Sequence, residues 1–475
     1  MKSNLLTFFF LLSALSLFSQ TGLLLNWEKE IINDKGPAVV ELINVKAVSG
    51  GAVVVGNSST EEGVRMYIAK YDQSGNLSWD LTLPSVKSSS LNRVEVSNQG
   101  DLYVAGRELV DNVADPEIHF AKISSNGQLV WHKTYNGPEN LSDGLSDFVL
   151  ANNHLYMSGL EEDSQNFQHG WVAKFNLSGN LVWDKAFSPG VYVWLGSLAV
   201  DQAGNVSVVG SADDDYSFLA IQYDDAGNLN WQYPDTLTGG SEKWLTDVKI
   251  DDWGNVYVIG TEETGAFFQY DIITMKLGPN GKLRWKKNFS NGGENGGSIL
   301  QIGSDGNIYS FGYKEDNFDE FAQILVYDTS GQTLWDTDYT IDNNTYIAGA
   351  ELDANDNIYL AVQDFDSMGF AVFSSSGNLM AAKNYGQEAV DYLSGFDLSG
   401  TTLFSTAYSY NASRSQLFSL QKNNLNENFV AEGMGLALSD VKPGAIITDG
   451  NSLWFSSYSD DGDSASFSIT KMNLN

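Results

Sequence analysis

Between residues 196 and 233 the chain changes character every few residues. "SLAV" (197–200) is apolar, "DQAGN" (201–205) is turn-forming, and "VSVVG" (206–210) alternates small polar and apolar positions. "SADDDYS" (211–217) is polar and "FLAIQY" (218–223) favours strand. "DDAGN" (224–228) is a second turn, and "LNWQY" (229–233) closes the unit. Short apolar runs bounded by Gly, Asp and Asn predict four strands, two tight hairpins and one looser loop. The same order recurs at 246–289, 298–339 and 350–385. No segment sustains the apolar period of a helix, so an all-β chain is expected after the first residues.

Trp27, Trp79, Trp131, Trp183, Trp231, Trp285 and Trp335 recur about every 50 residues. The series continues in weaker form. "FSSSGNLMAAKNY" (373–385) has Ala381 in the tryptophan position, and "LQKNNLNENFV" (420–430) has Phe429. Four-stranded units at this period predict a β-propeller. In the fourth strand Trp131 and Tyr135, Trp183 and Phe187, and Trp285 and Phe289 share one side, because strand side chains alternate. The seven tryptophans are therefore expected to dock blades together. Residues 446–473 supply three strands and 23–31 a lone fourth, which together predict a ring closed by the N-terminal strand. The expectation is one propeller over 20–475 with nine four-stranded blades, or eight if the weak unit at 393–430 is not a blade.

Units such as "DDWGNVYVIG" (251–260) and "AKYDQSGNLSW" (69–79) resemble the SBBP-type β-propeller repeat of exported bacterial proteins. The resemblance covers nearly all of the chain after its first residues. It implies a scaffold fold, and it implies no particular chemistry. The family name suggests seven blades, from which this chain departs.

Lys2, the apolar run 5–18 and the small polar stretch "SQTG" read as a secretory signal, with cleavage expected after Ser19. No later segment is apolar and long enough to span a bilayer, so no direct membrane insertion is expected. The formal net charge of −34 argues against nucleic acid and anionic membrane surfaces as partners. With no cysteine in the chain, disulfides, thiolate metal sites and thiol nucleophiles are excluded.

The recurring D-x-x-G-N admits a chemical reading and a structural one. A calcium loop of the EF-hand type needs oxygens at alternate positions and a distant closing Glu, which "DQSGN" lacks. As a turn every position is explained: Asp accepts backbone N–H groups two residues on, and Gly adopts the left-handed conformation. "DANDN" (353–357) and "DDGD" (460–463) are the better metal candidates, without a visible closing ligand. The Asp-box of sialidase-type propellers has a different spacing. The tryptophan-docking motif of quinoprotein dehydrogenases shares the Gly-to-Trp offset, but this chain lacks their adjacent cysteines. His119, His132, His154 and His169 form no metal-ligand spacing, and His132 is expected to face solvent. No G-x-S-x-G elbow is present. No catalytic residue, metal or cofactor is expected.

The two hairpins of each blade must fall on one face of the ring, and the 2–3 loops and blade connectors on the other. The second face is the variable one, where binding residues sit on rigid scaffolds. Its loops are acidic, among them "LEEDSQNFQHG" (160–170), "ADDDY" (212–216) and "YKEDNFDE" (313–320). Connectors add aromatics. Tyr192, Trp194, Trp244, Phe267, Phe268 and Tyr313, rimmed by Glu162, Asp214 and Asp316, are the candidate partner-binding set. Trp194 and Trp244 could equally plug the central hole. The expected function is a non-enzymatic, monomeric exported propeller that binds a basic protein. A periplasmic home is expected, with an envelope partner such as an outer-membrane secretion or assembly channel, including a type IX channel plug. The alternative is a glycan-binding protein or polysaccharide-active enzyme with its groups at the ring's mouth.

Overall fold

Strand and turn alternate along the chain as its polar punctuation dictates. The computed structural model describes residues 23–31, 39–60, 63–83, 89–108, 117–137, 142–162, 167–188, 192–212, 217–234, 241–265, 269–341, 344–364, 367–385, 392–400, 402–409, 414–422, 441–448, 452–460 and 465–473. The expected signal segment lies outside them. The described residues contain strands and turns and no helix.

Eight four-stranded antiparallel sheets form the ring of a β-propeller. Blades 1 to 7 are the meanders 39–82, 89–135, 142–187, 193–233, 243–289, 295–339 and 346–385. Blade 8 takes three strands from 392–422 and its fourth from Leu23–Ile31. The ring thus has the smaller of the two expected counts. The N-terminal strand does complete the last blade, but its partner is Arg414–Lys422, in the register Leu23↔Lys422 to Ile31↔Ser415. It does not join the strands near the C-terminus. Those strands, Val441–Thr448, Ser452–Asp460 and Ala465–Asn473, form a three-stranded meander in a separate compact unit, 425–475.

Cores form between blades, so the middle strands bury both faces. Val206–Ala212 and Ser217–Tyr223 are buried at every position, which explains their weak alternation. Val53, Val55 and Ile68 of blade 1 pack with Leu91 and Val104 of blade 2. Leu42, Val45 and Val54 of blade 1 pack with Phe404 and Leu417 of blade 8, which closes the circle.

The first strand of every blade is innermost, and each carries a β-bulge, as between Leu42 and Asn44 or between Leu245 and Asp247. The bulge adds an unpaired residue that reaches the neighbouring blade. Thr246 Oγ1 donates to Gly297 O at 2.9 Å, and Ser394 Oγ to Leu42 O at 2.6 Å.

Candidate functional site

The turn-opening aspartates of the turn face serve their own turns. Asp72 Oδ1 accepts the N–H groups of Ser74 and Asn76, both at 2.8 Å, and its Oδ2 accepts Asn76 Nδ2 at 3.1 Å. These bonds, the Asn76 backbone first, hold the Asp72 carboxyl below the usual range. Asp353, in the first of the two metal candidates, has its carboxylate taken up the same way by Asn355 and Asn357. Asp356 stands at the glycine position of that turn with φ 57°. It accepts Ser304 N and Oγ of blade 6, each at 2.7 Å. Residues 461–463 of the second metal candidate lie outside the described residues.

Six of the seven tryptophans lie on the turns of the next blade. Trp183 donates its Nε1–H to Asp225 O (3.0 Å), Trp231 to Pro279 O (3.1 Å), Trp285 to Thr329 O (3.2 Å) and Trp335 to Ser375 O (3.0 Å). Each ring covers the glycine of the receiving turn. Cβ atoms built on Gly127, Gly179, Gly227, Gly281, Gly331 and Gly377 would meet Trp79, Trp131, Trp183, Trp231, Trp285 and Trp335 at 3.0 Å or less. Blade 8 has no hairpin between its third and fourth strands, because the fourth comes from the other end of the ring sequence. The tryptophan position of blade 7 therefore has no turn on blade 8 to dock against, and a buried Ala381 stands there. Trp27 lies in the fourth strand of blade 8 beside Ser419. His132, expected to face solvent, is half-buried with its Nε2 3.2 Å from His119 Nδ1. Burial, then the neighbouring ring, pushes His119 down to about 4.

On the opposite face the four described members of the predicted aromatic set lie in blades 4 to 6, and three of them pair with aromatic rings outside that set. Tyr192 is half-buried with its ring 6.0 Å from that of Phe167. Trp194 is 41% exposed. Trp244 is half-buried and packs on Tyr270 at 5.8 Å, and Tyr313 meets Tyr346 edge-on at 6.3 Å. Asp316 is exposed and accepts Asn317 Nδ2 at 2.9 Å. Phe267, Phe268 and Asp214 lie outside the described residues. Glu162 ends a strand of blade 3, and nothing of its side chain is described.

Five glutamates run between these rings in a repeated arrangement. In blade 5, Glu242 and Glu263 join through N–H to carbonyl at 2.7 Å, and Glu242 Oε2 accepts the Tyr270 hydroxyl at 2.7 Å. In blade 6, Glu315 N donates to Glu294 O at 3.0 Å and Glu294 N to Glu315 Oε2 at 3.3 Å. Burial, then Glu315 and Glu320, raise the Glu294 carboxyl above its usual range. Burial and the same acids push the Tyr313 hydroxyl up to about 12. The nearby lysines are committed: Lys314 pairs with Asp338 and Lys243 with Glu262.

Phe318 is the residue that sequence reasoning missed. It stands at the tip of the blade 6 hairpin, 89% exposed, with φ 71° after Asn317 at φ 55°. A two-residue hairpin with both φ positive favours Asn-Gly, because a side chain at the second position is strained. "NF" where "NG" is the norm was the available signal.

A second group lines the axis, also unforeseen. Inner strands contribute Lys46, Arg93, Glu95, Asp147, Asp247, Lys249, Glu351 and Asp397. Three carboxylates cross to the next blade: Asp147 Oδ2 accepts Leu198 N (2.9 Å), Asp247 Oδ2 accepts Leu300 N (2.9 Å), and Asp397 Oδ2 accepts Ala47 N (2.6 Å). Burial pushes Glu95 up to about 7, opposed by Lys46 and reinforced by Asp147 and Asp397. Burial and Asp397 push Glu351 up to about 7, opposed by Lys249 and Lys46. Their signal lay in ionisable residues recurring in the second half of the first strands.

No family model matches this chain, and no curated protein matches it. Among solved structures it is similar to Sqt1 from Chaetomium thermophilum, at 12% identity and TM-score 0.46, covering 82% of this chain and 97% of that one. It is also similar to puromycin hydrolase, at 12% identity and TM-score 0.46, covering 77% of this chain and 58% of that one. The β-propeller domain of the Trilobed protease from Pyrococcus furiosus shows 11% identity and TM-score 0.41, covering 73% of this chain and 99% of that one. Such likeness concerns the fold alone.

Proposed function

We propose that this chain is a non-enzymatic exported propeller that binds a basic protein through the acidic aromatic face of blades 4 to 7. The observation that carries this reading is Phe318. It is both strained and solvated in the free protein, and either cost would vanish with glycine. A partner that buries the ring recovers one of those costs and gives the residue a purpose. Around it Asp316, Glu294, Glu315 and Glu320 supply negative charge, which speeds and orients encounter with a basic surface. Trp194, Trp244, Tyr270 and Tyr313 supply the aromatic composition typical of interfaces.

The leader-like residues 1–19 support an envelope destination, and the periplasm is the compartment we favour. An outer-membrane secretion or assembly channel is then the natural partner, with a type IX channel plug as its most specific form. The test is capture from solubilised envelopes by the tagged chain, beside Phe318→Gly and Trp194→Ala. A basic envelope protein should be recovered by the parent chain and lost from both variants. Recovery that is equal in all three samples would refute the assignment of this face.

A further inference from the structure

Trp253 departs from its repeat. It holds the third position of "DDWGN" (251–255), where corresponding turns have Ser74, Ala203 and Ala226. The turn does not need it. Asp251 Oδ1 accepts the N–H groups of Trp253 (3.0 Å) and Asn255 (2.8 Å), and Gly254 supplies the left-handed residue at φ 76°. Yet the side chain is 74% exposed, an indole left in water without a packing role. It walls a cleft of about 320 Å³ between the first turns of blades 4 and 5, which Asp201, Gln202, Asp252 and Pro279 also line. Small-molecule sites begin near this size, at roughly 300 Å³.

The polar groups of the cleft decide what fits. Asp201 is consumed by its own turn, accepting Asn205 N (2.8 Å) and Asn205 Nδ2 (2.7 Å). Asp251 is consumed likewise, and also accepts the Tyr257 hydroxyl at 3.2 Å. Lys276 lies within electrostatic reach of Asp251. Asp252 Oδ1 accepts Gln202 Nε2 at 2.8 Å, while no donor among the described residues reaches Asp252 Oδ2 or Gln202 Oε1. The cleft therefore offers a flat apolar face edged by two acceptors, with its other charges already engaged. A cation would find a single open carboxylate oxygen. A pyranose ring matches more of the surface: its C–H face stacks on the indole and its hydroxyls donate to the two acceptors.

We propose that this cleft binds a neutral saccharide, with one hexose-type ring stacked on Trp253 and hydroxyls bonded to Asp252 and Gln202. The site lies on the turn face, opposite the acidic aromatic face, so the two proposals stand or fall separately. The test is an array of neutral oligosaccharides built from hexoses and N-acetylhexosamines, followed by calorimetric titration of the best binder, with oligolysine as the cationic comparison. Trp253→Ala recreates the sequence "DDAGN" already present at 224–228, so the turn should fold unchanged. The intact chain should bind a sugar, Trp253→Ala should bind it about tenfold more weakly or worse, and Phe318→Gly should bind it as the parent does. The proposal is overturned by no sugar binding, by binding insensitive to Trp253→Ala, or by oligolysine outcompeting every sugar.

Discussion

At Gly227 the backbone runs at φ 82° beneath the Trp183 ring, and a Cβ there would lie 2.9 Å from it. Turn geometry and blade docking thus make the same demand on one residue. Gly227→Ala should lower unfolding free energy by about 1–3 kcal/mol in denaturant melts, from conformation and contact together. Trp231 is 8% exposed and donates to Pro279 O. Removing it in Trp231→Ala should cost about 3–5 kcal/mol in the same assay. Phe318→Gly should do the reverse. It relieves a residue at φ 71° and should raise stability by about 1 kcal/mol while abolishing partner capture. A gain in stability coupled to a loss of binding is the signature of a residue kept for function. These positions differ in how well the sequence displays them. Asp, Gly and Trp repeat at fixed offsets and declare themselves. Phe318 shows only as a local departure from turn preference.

The inner strands are the elements whose energetics depend on pH. Glu95 and Glu351 are each pushed up to about 7 in the folded ring. A carboxyl raised above its unfolded value contributes stability that is full below about 4.5 and is lost as pH rises through about 7. Asp397 is raised as well and has the same sign. The His119–His132 pair acts oppositely. Both are lowered, His119 to about 4, so their stability is lost as pH falls below about 6.5. Lys46 and Lys249, which face the same acids, are raised and stay charged throughout this range. A difference measurement isolates the glutamates. Relative to the parent, Glu95→Gln with Glu351→Gln should have a higher melting temperature at pH 8 than at pH 5. An equal offset at both pH values would show that the two carboxyls do not titrate in this range. These strands were poorly visible in the sequence. An acid in the second half of a first strand reads as a solvent-facing strand position until eight blades bring the acids to one axis.

For the whole molecule, local pattern and global closure had unequal visibility. The D-x-x-G-N hairpins were readable, because hydrogen bonds within a turn depend on residues four or five apart. The closure was not, because it pairs Leu23–Ile31 with Arg414–Lys422, and both 392–422 and 446–473 present three strands in want of a fourth. Blade 8 wins that strand, and the ring closes with eight. A chain ending at Asn424 should therefore keep the cooperative melt of the ring, whereas deleting residues 23–31 should lower its melting temperature by exposing the edge of Arg414–Lys422. The candidate face was visible as loop composition, since acidic 2–3 loops and connector aromatics stand out from the regular hairpins. Which rings pair, and which acid meets which hydroxyl, depends on blade packing that no local pattern encodes. The most direct test places a photo-crosslinking residue at Phe318 and, in a second chain, at Ser74 on the turn face, each irradiated with solubilised envelopes. An adduct with a basic protein is expected from position 318 and none from position 74. Adducts from position 74 alone, or equally from both, would contradict it.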